Sequence, residues 1–312
     1  DRDEATRGDL KTRTEKGMEL ALQSDMTKKT FPWPGAANVK YPVMTTAAIQ
    51  FAARAYPAIV AGNDVVKCVV AGEDPDGEKH KRGERVSAHM SWQFLNEMPE
   101  WEPGIDRMLH SLPIVGCEFI KTYYDPSKGR NVSEHIPAFD VVVNVSAVSL
   151  ETAPRVTHIV RLYPYEIRER ILSGLFIDFD YGLPGYTEDK DAPHEFLEQH
   201  CRIDLDDDGY PEPYIVTIHK ERVKVCRIRA AWDADGIRVD AGKNLIGIDS
   251  IKIFDKVPFI PHPEGQFYDI GFAWLLLPIN EAINTTLNQL LDAGTLANTG
   301  GGFIGTGLRL KG

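Results

Sequence analysis

The chain has 312 residues, 43% of them hydrophobic, which is enough for two domains with buried cores. Its formal net charge of -11 excludes a basic saddle that grips nucleic acid through its phosphates. Four cysteines, Cys68, Cys117, Cys201 and Cys226, are too widely spaced for a CxxC metal or redox motif, and no apolar run of about 18 residues is present to cross a membrane. The cysteines read as reduced, mostly buried thiols of a cytoplasmic compartment. No signal peptide is visible, and the start at Asp1 and stop at Gly312 read as cuts in a longer protein.

In chain order, residues 1–29 are charged and mildly amphipathic, with Leu10, Met18, Leu20 and Leu22 available for one helix face. Phe31-Pro32-Trp33-Pro34 cannot continue a helix, so it is a rigid extended loop. Its Phe31 and Trp33 anchor either a subunit contact or the chain's own core. A helix is expected over 41–60, a short strand over 64–70, and helices over 86–98 and 101–112. Strands follow at 114–124 and 138–144, joined by the turn Asp125-Pro126-Ser127-Lys128-Gly129, then a strand at 157–163 and a helix at 164–175. Residues 178–193, rich in Asp, Gly, Tyr and Pro, read as a linker or surface loop. Between 196 and 262 four strands separated by the turns Asp206-Asp207-Asp208-Gly209, Asp233-Ala234-Asp235-Gly236 and Ala241-Gly242-Lys243-Asn244 make an antiparallel meander.

The most distinctive stretch is the last. Phe272, Leu276, Ile279, Ile283, Leu287, Leu290 and Leu291 recur at helical spacing, and the opposite face carries Asn280, Asn284, Thr285, Asn288 and Asp292. A helix with an amide and hydroxyl face in place of Lys and Glu is suited to face neighbouring protein or a channel wall. Pro278 requires it to start near Leu277 or bend there, and it leaves through Asn298-Thr299-Gly300.

Motifs with catalytic chemistry are scarce. Asp204, Asp206 and Asp208 followed by Gly209 match the opening of a calcium loop, but the closing Glu is replaced by Ile215, and a plain Asp-Gly turn accounts for the pattern. The glycines from Gly300 to Gly307 lack the lysine of a phosphate loop and read as a hinge. His158 and His219 lie in strands without partners at informative spacing and read as structural. The residues by themselves define an α+β protein with a β insertion, a long polar-faced helix and no visible active site, which favours a structural or interaction protein over an enzyme, with no cofactor expected. A metal-dependent enzyme built on Asp204, Asp206 and Asp208 is the alternative.

Three strings, FPWPGAANVKYP from Phe31, DLDDDGYPEPYIVTIHKE from Asp204 and PINEAINTTLNQLLDAGTLANTGGGFIGTGLRLKG from Pro278, closely resemble the portal proteins of tailed bacteriophages, over about Thr30 to Gly312. The resemblance implies a ring, usually of twelve subunits, at one capsid vertex of the virion, assembled in the host cytoplasm with capsid and scaffold proteins. The terminase would dock on it to pump double-stranded DNA through the channel, and a head-to-tail adaptor and tail proteins would follow. It implies a wing over 1–165, a stem helix and linker over 166–195, a clip over 196–264, a second stem helix over 265–299 and the start of a return to wing and crown over 300–312. Asn280, Asn284, Thr285, Asn288 and Asp292 would then face the channel, and the turns at Asp206–Gly209 and Asp233–Gly236 would meet the partners. Another ring-forming capsid or tail component is the remaining reading.

Overall fold

The computed structural model describes residues 2–298 apart from 6, 25–28, 32, 127, 145 and 243–244. The glycine-rich segment 300–312 and the helix exit beyond Asn298 lie outside the described residues. A first turn, α1 (Arg2–Ala5), leads into α2 (Gly8–Leu22), followed by α3 (Val43–Ile59), α4 (Glu78–Trp92) with a π turn at Gln93–Glu97, and α5 (Trp101–Val115). The hairpin β1 (Cys117–Asp125) and β2 (Arg130–Ile136) comes next, then β3 (Val141–Val143), β4 (Arg155–Leu162) and α6 (Pro164–Leu172). Six strands follow, β5 (His194–Ile203), β6 (Glu212–His219), β7 (Lys224–Ala230), β8 (Ile237–Val239), β9 (Leu245–Ile248) and β10 (Phe254–Pro258), and the chain ends in α7 (Phe272–Leu275) and α8 (Leu277–Asn298).

The expected α+β class is what the chain adopts, with antiparallel sheets ordered β10-β1-β2, β3-β4-β5-β6-β7 and β8-β9. The sheets do not divide where the sequence suggested. β4 pairs with β5 along its whole length, from Arg155 opposite Cys201 to Leu162 opposite His194, so the five-stranded sheet runs across the boundaries expected at 165 and 196. β10 pairs with β1, Cys117 opposite Pro258, so the segment up to 264 returns to the first sheet instead of closing a separate meander. Alternating apolar residues report that a strand has a buried face and say nothing of which strand lies beside it. For the same reason the partner of β1 is Arg130–Ile136, and residues 138–144 split into a 3-10 turn and β3.

Cys117, Phe119, Ile136, Val141, Val143, Val156 and Phe267 form the core between the two larger sheets. A second cluster, Ala21, Met44, Ala48, Ile114 and Ala273, joins α2, α3, α5 and α7. Here α2 buries Thr14, Gly17 and Ala21, while Leu22, one of its expected face residues, is exposed. A Cβ on Gly17 would lie 2.6 Å from that of Ala273, so close helix approach, not leucine, selects the buried face. Gly116 (φ +104) and Gly271 also touch through backbone: a Cβ on either would come within 2.3 Å of a carbonyl oxygen. Arg7 is buried and donates to the carbonyls of Ala138, Phe139 and Val141, which ties the start of the chain to the loop before β3.

Residues 64–70, expected as a strand, have no strand partner. Their amides are taken by α4: Val66 N–H donates to Ser91 Oγ at 3.1 Å and Cys68 N–H to Ser87 Oγ at 2.7 Å. Because Ser91 is buried, Ser91→Ala should cost about 1–2 kcal/mol in urea denaturation through the stranded Val66 amide. A change under about 0.3 kcal/mol would remove this segment's anchor from the account.

Candidate functional site

The long C-terminal helix carries its polar face inward. Asn280, Asn284 and Asn288 are the buried residues of α8, whereas Ile279, Leu290 and Leu296 are 53, 66 and 59% exposed. What covers the amide face is the extended segment 36–42, which has no strand to pair with and whose N–H groups must still find acceptors. Tyr41 N–H donates to Asn284 Oδ1 at 2.7 Å, Val39 N–H to Asn288 Oδ1 at 2.7 Å and Ala37 N–H to Asp292 Oδ1 at 2.8 Å. Asn288 also returns a bond, its Nδ2 donating to Val39 C=O at 3.1 Å. Four helical residues rise about 6.0 Å and two extended residues advance about 6.6 Å, so every fourth side chain meets every second amide. Ser87 and Ser91 of α4 use the same spacing on Val66 and Cys68.

Two of the three strings that carry the family resemblance are thereby bonded to each other across more than 240 positions. The channel-facing role expected of this face is corrected for Asn280, Asn284 and Asn288, which are buried against their own chain, and for Asp292, whose carboxylate is bonded to Ala37. Thr285 is exposed and donates its hydroxyl to Glu281 C=O. The apolar period located the helix correctly, and of the two surroundings expected for its amide face, neighbouring protein and a channel wall, the first is found, supplied by the chain's own 36–42 segment. An open cavity of about 370 Å³ borders the ladder, lined by Lys16, Lys29, Lys40, Glu281, Asn284 and Asn288 among others, with Lys16 ion-paired to Glu281.

Phe31 is 83% exposed, so it does not anchor its own core; Trp33 is half-buried. Thus, of the two readings of that loop, burial on the chain itself fails for Phe31.

The turns expected to meet partners lie together. Asp206, Asp207 and Asp208 are exposed between β5 and β6, with Asp207 (φ 58) and Gly209 (φ 90) in the left-handed region that makes the turn. Tyr210 Oη accepts from Ile248 N–H at 2.9 Å and Arg202 donates to Ile248 C=O at 2.9 Å, which fastens this turn to the β8–β9 hairpin. Asp233 and Asp235 are exposed, and Gly236 C=O accepts from Asp249 N–H at 2.9 Å on the same hairpin. Among the described residues, Asp204, Asp206 and Asp208 are the group whose ligand atoms converge, all within 4.8 Å of one another, and they are the ones that could hold a cation. Asp204 Oδ2 accepts from Gly209 N–H at 2.9 Å and Asp208 Oδ1 from Tyr210 N–H at 2.7 Å. Burial first, then the Glu212 and Asp206 charges, push the Tyr214 phenol up.

A charged cluster that the sequence did not announce lies between the sheets. Lys121 of β1 donates to Glu198 Oε1 of β5 at 2.8 Å and approaches His158 Nδ1 of β4 at 3.4 Å, and His200 Nε2 meets the same Glu198 oxygen at 3.1 Å. Phe254 of β10 packs edge-on against both imidazoles. Burial, then the Lys121 charge, drive His158 down to about 3, so it is neutral and accepts from the ammonium. Burial by itself would raise Glu198, but its His200 and Lys121 partners outweigh that and hold it far below the usual carboxylate range. The charges satisfy one another, and the cluster clamps one sheet to the other.

No protein-family model matches the chain, and no curated protein matches it. No helix among the described residues is long and apolar enough to cross a membrane.

Proposed function

We propose that the chain is a ring-forming portal subunit of the tailed-phage type, placed at one capsid vertex, through which double-stranded DNA is packaged by a terminase and later ejected past an adaptor and tail. The observation that carries this reading, beside the resemblance of the three strings, is the outward stripe of α8. Its amides hold the helix to its own subunit, and on the opposite side Ile279 and Leu290 are left exposed, with Ile283 and Leu287 half-buried between them. Large apolar side chains left open along one side of a helix mark a surface suited to pack against protein. In a ring, neighbouring copies present it in series. The acidic balance of the chain keeps contacts to a sliding phosphate backbone weak. The turns at Asp206–Gly209 and Asp233–Gly236, fastened to one hairpin, are the proposed docking edge for terminase and adaptor.

Negative-stain electron microscopy tests the reading. Closed rings with a central hole wide enough for a duplex are expected. Ile279→Lys with Leu290→Lys should reduce them to monomers in sedimentation velocity while leaving monomer melting within about 2 °C, because both positions are exposed in the single chain. A closed dimer in the wild type, or rings that persist in the double variant, would sink the assignment of α8 to the subunit contact.

A further inference from the structure

Two histidines on neighbouring strands are sealed from water under the irregular segment between α6 and β5. His194 is 1% and His219 0% exposed, and His194 Nδ1 lies 3.1 Å from His219 Nε2. The tautomers follow from the neighbours. Arg222 N–H donates to His219 Nδ1 at 3.1 Å, so the His219 proton is on Nε2 and points at His194 Nδ1. His194 therefore carries its own proton on Nε2, and that buried N–H has no hydrogen-bond partner. Aromatic rings enclose the pair: Tyr181 lies edge-on to His194, and Phe179 and Phe196 edge-on to His219.

We infer that this pair is an acid-operated latch, which on taking up a proton releases residues 176–181 from the β6–β7 edge. The pair shares a single contact proton, and a second one has no site. Protonating His194 Nδ1 sets two N–H groups against each other, and protonating His219 Nδ1 does the same with Arg222 N–H. Either event also places a charge in an aromatic cage. The groups that act on the pair are Glu221 and Arg222 in the β6–β7 turn, Lys224 opposite His219 on β7, Tyr181 from the overlying segment and the Cys226 thiol. Glu221 is engaged by Gly185 N–H through both of its oxygens, so its carboxylate is already partnered and exposed. Burial, chiefly, lowers both imidazoles, which is the direction a latch closed at neutral pH requires.

The overlying segment is lightly fastened. Ile177 N–H donates to Cys226 C=O at 3.0 Å and Arg222 Nε to Tyr181 C=O at 3.3 Å, and Phe176 packs in the cluster that buries Cys226. Lifting it exposes both histidines and the Cys226 thiol together.

The cysteines supply the test within the unaltered protein. Cys226 and Cys117 are each 1% exposed but sit in different cores, whereas Cys68 is open to solvent. The reaction of each thiol with 4,4′-dithiodipyridine, which remains reactive in acid, would be followed at pH 7.5 and 5.5 by peptide mass spectrometry, with Cys68 as the internal standard. One proton taken up with an open-state pKa near 6.5 predicts that Cys226 accelerates about tenfold relative to Cys68. Cys117 should stay protected. Equal acceleration of Cys117 and Cys226 would mean global unfolding, and a Cys226 rate that follows Cys68 at both pH values would mean a closed segment; either overturns the latch.

Discussion

Lys121→Met will destabilise the fold by about 3–5 kcal/mol, the range for removing one partner of a buried ion pair while its counter-charge stays behind. The methionine fills much the same volume, so packing against Phe254 survives. What is lost is the cation that Glu198 shares with His200. Glu198 in the native chain is held below its usual range, so it contributes stability that is fully present above about pH 4.5 and is lost progressively as the pH falls below that value toward the native one. In the variant His200 still bonds the carboxyl, but without the Lys121 charge the carboxyl rises from its wild-type position and gives up part of that contribution. The deficit relative to wild type will therefore be largest near pH 7 and narrow as the pH falls below about 4.5. Urea denaturation from pH 7.5 to below about pH 4.5 measures both. A deficit that widens in acid would show that Lys121 is not the partner holding Glu198 ionised. Neutral His158 acts on the wild type in the same acid direction: depressed to about 3, it begins to cost stability below about pH 6.5.

Asn288→Leu is expected to cost about 2–4 kcal/mol, because Val39 loses an acceptor for its N–H and a donor for its C=O at one stroke. Leucine is the better helix former and the more hydrophobic side chain, so propensity and burial both argue for a gain. The prediction sets two unsatisfied backbone groups against those terms. Thr285→Ala, on the exposed side of the same turn, should change stability by less than about 0.5 kcal/mol and serves as the control. If Asn288→Leu proves neutral by denaturation, water replaces the side chain and the ladder does not hold the 36–42 segment.

What the sequence disclosed and what it withheld divide along one physical line. Helices α3, α5, α6 and α8 were legible because capping, proline position and the 3.6-residue period are local properties. Likewise, β4 to β7 were visible as strands from alternation and Asp-Gly turns. Pairing was not. That β5 lies beside β4, or β10 beside β1, depends on which apolar faces meet after collapse, and no window of ten residues contains that information. The α8 face was legible only in part for the same reason: neighbouring protein or a channel wall were the two surroundings expected for Asn280, Asn284, Asn288 and Asp292, and choosing the first depended on a partner segment some 250 residues earlier. In a helix whose asparagines recur every fourth residue, a neighbouring stretch such as Gly35 to Pro42, extended and without strand periodicity, was the second half of the signal. Buried Lys121 inside an alternating strand was likewise readable only as an inward charge without a named partner.

The amide ladder on α8 also works as a vernier. Each rung advances about 6.0 Å on the helix and about 6.6 Å on the extended chain, so the two scales drift apart by about 0.6 Å per step. Hydrogen bonds tolerate roughly half an ångström of stretch, from about 2.7 to 3.2 Å. Three rungs therefore fit and a long series would not. At the next mark, where Asn280 would meet residue 43, the chain has already turned into α3, and Val43 N–H donates to Tyr41 C=O instead. The spacing also quantises any slippage. The 36–42 segment can shift along α8 only by two residues against four, a jump of about 6 Å, with no stable position between. A one-residue insertion between Asn284 and Asn288 would turn the later rungs by about 100° and detach them together.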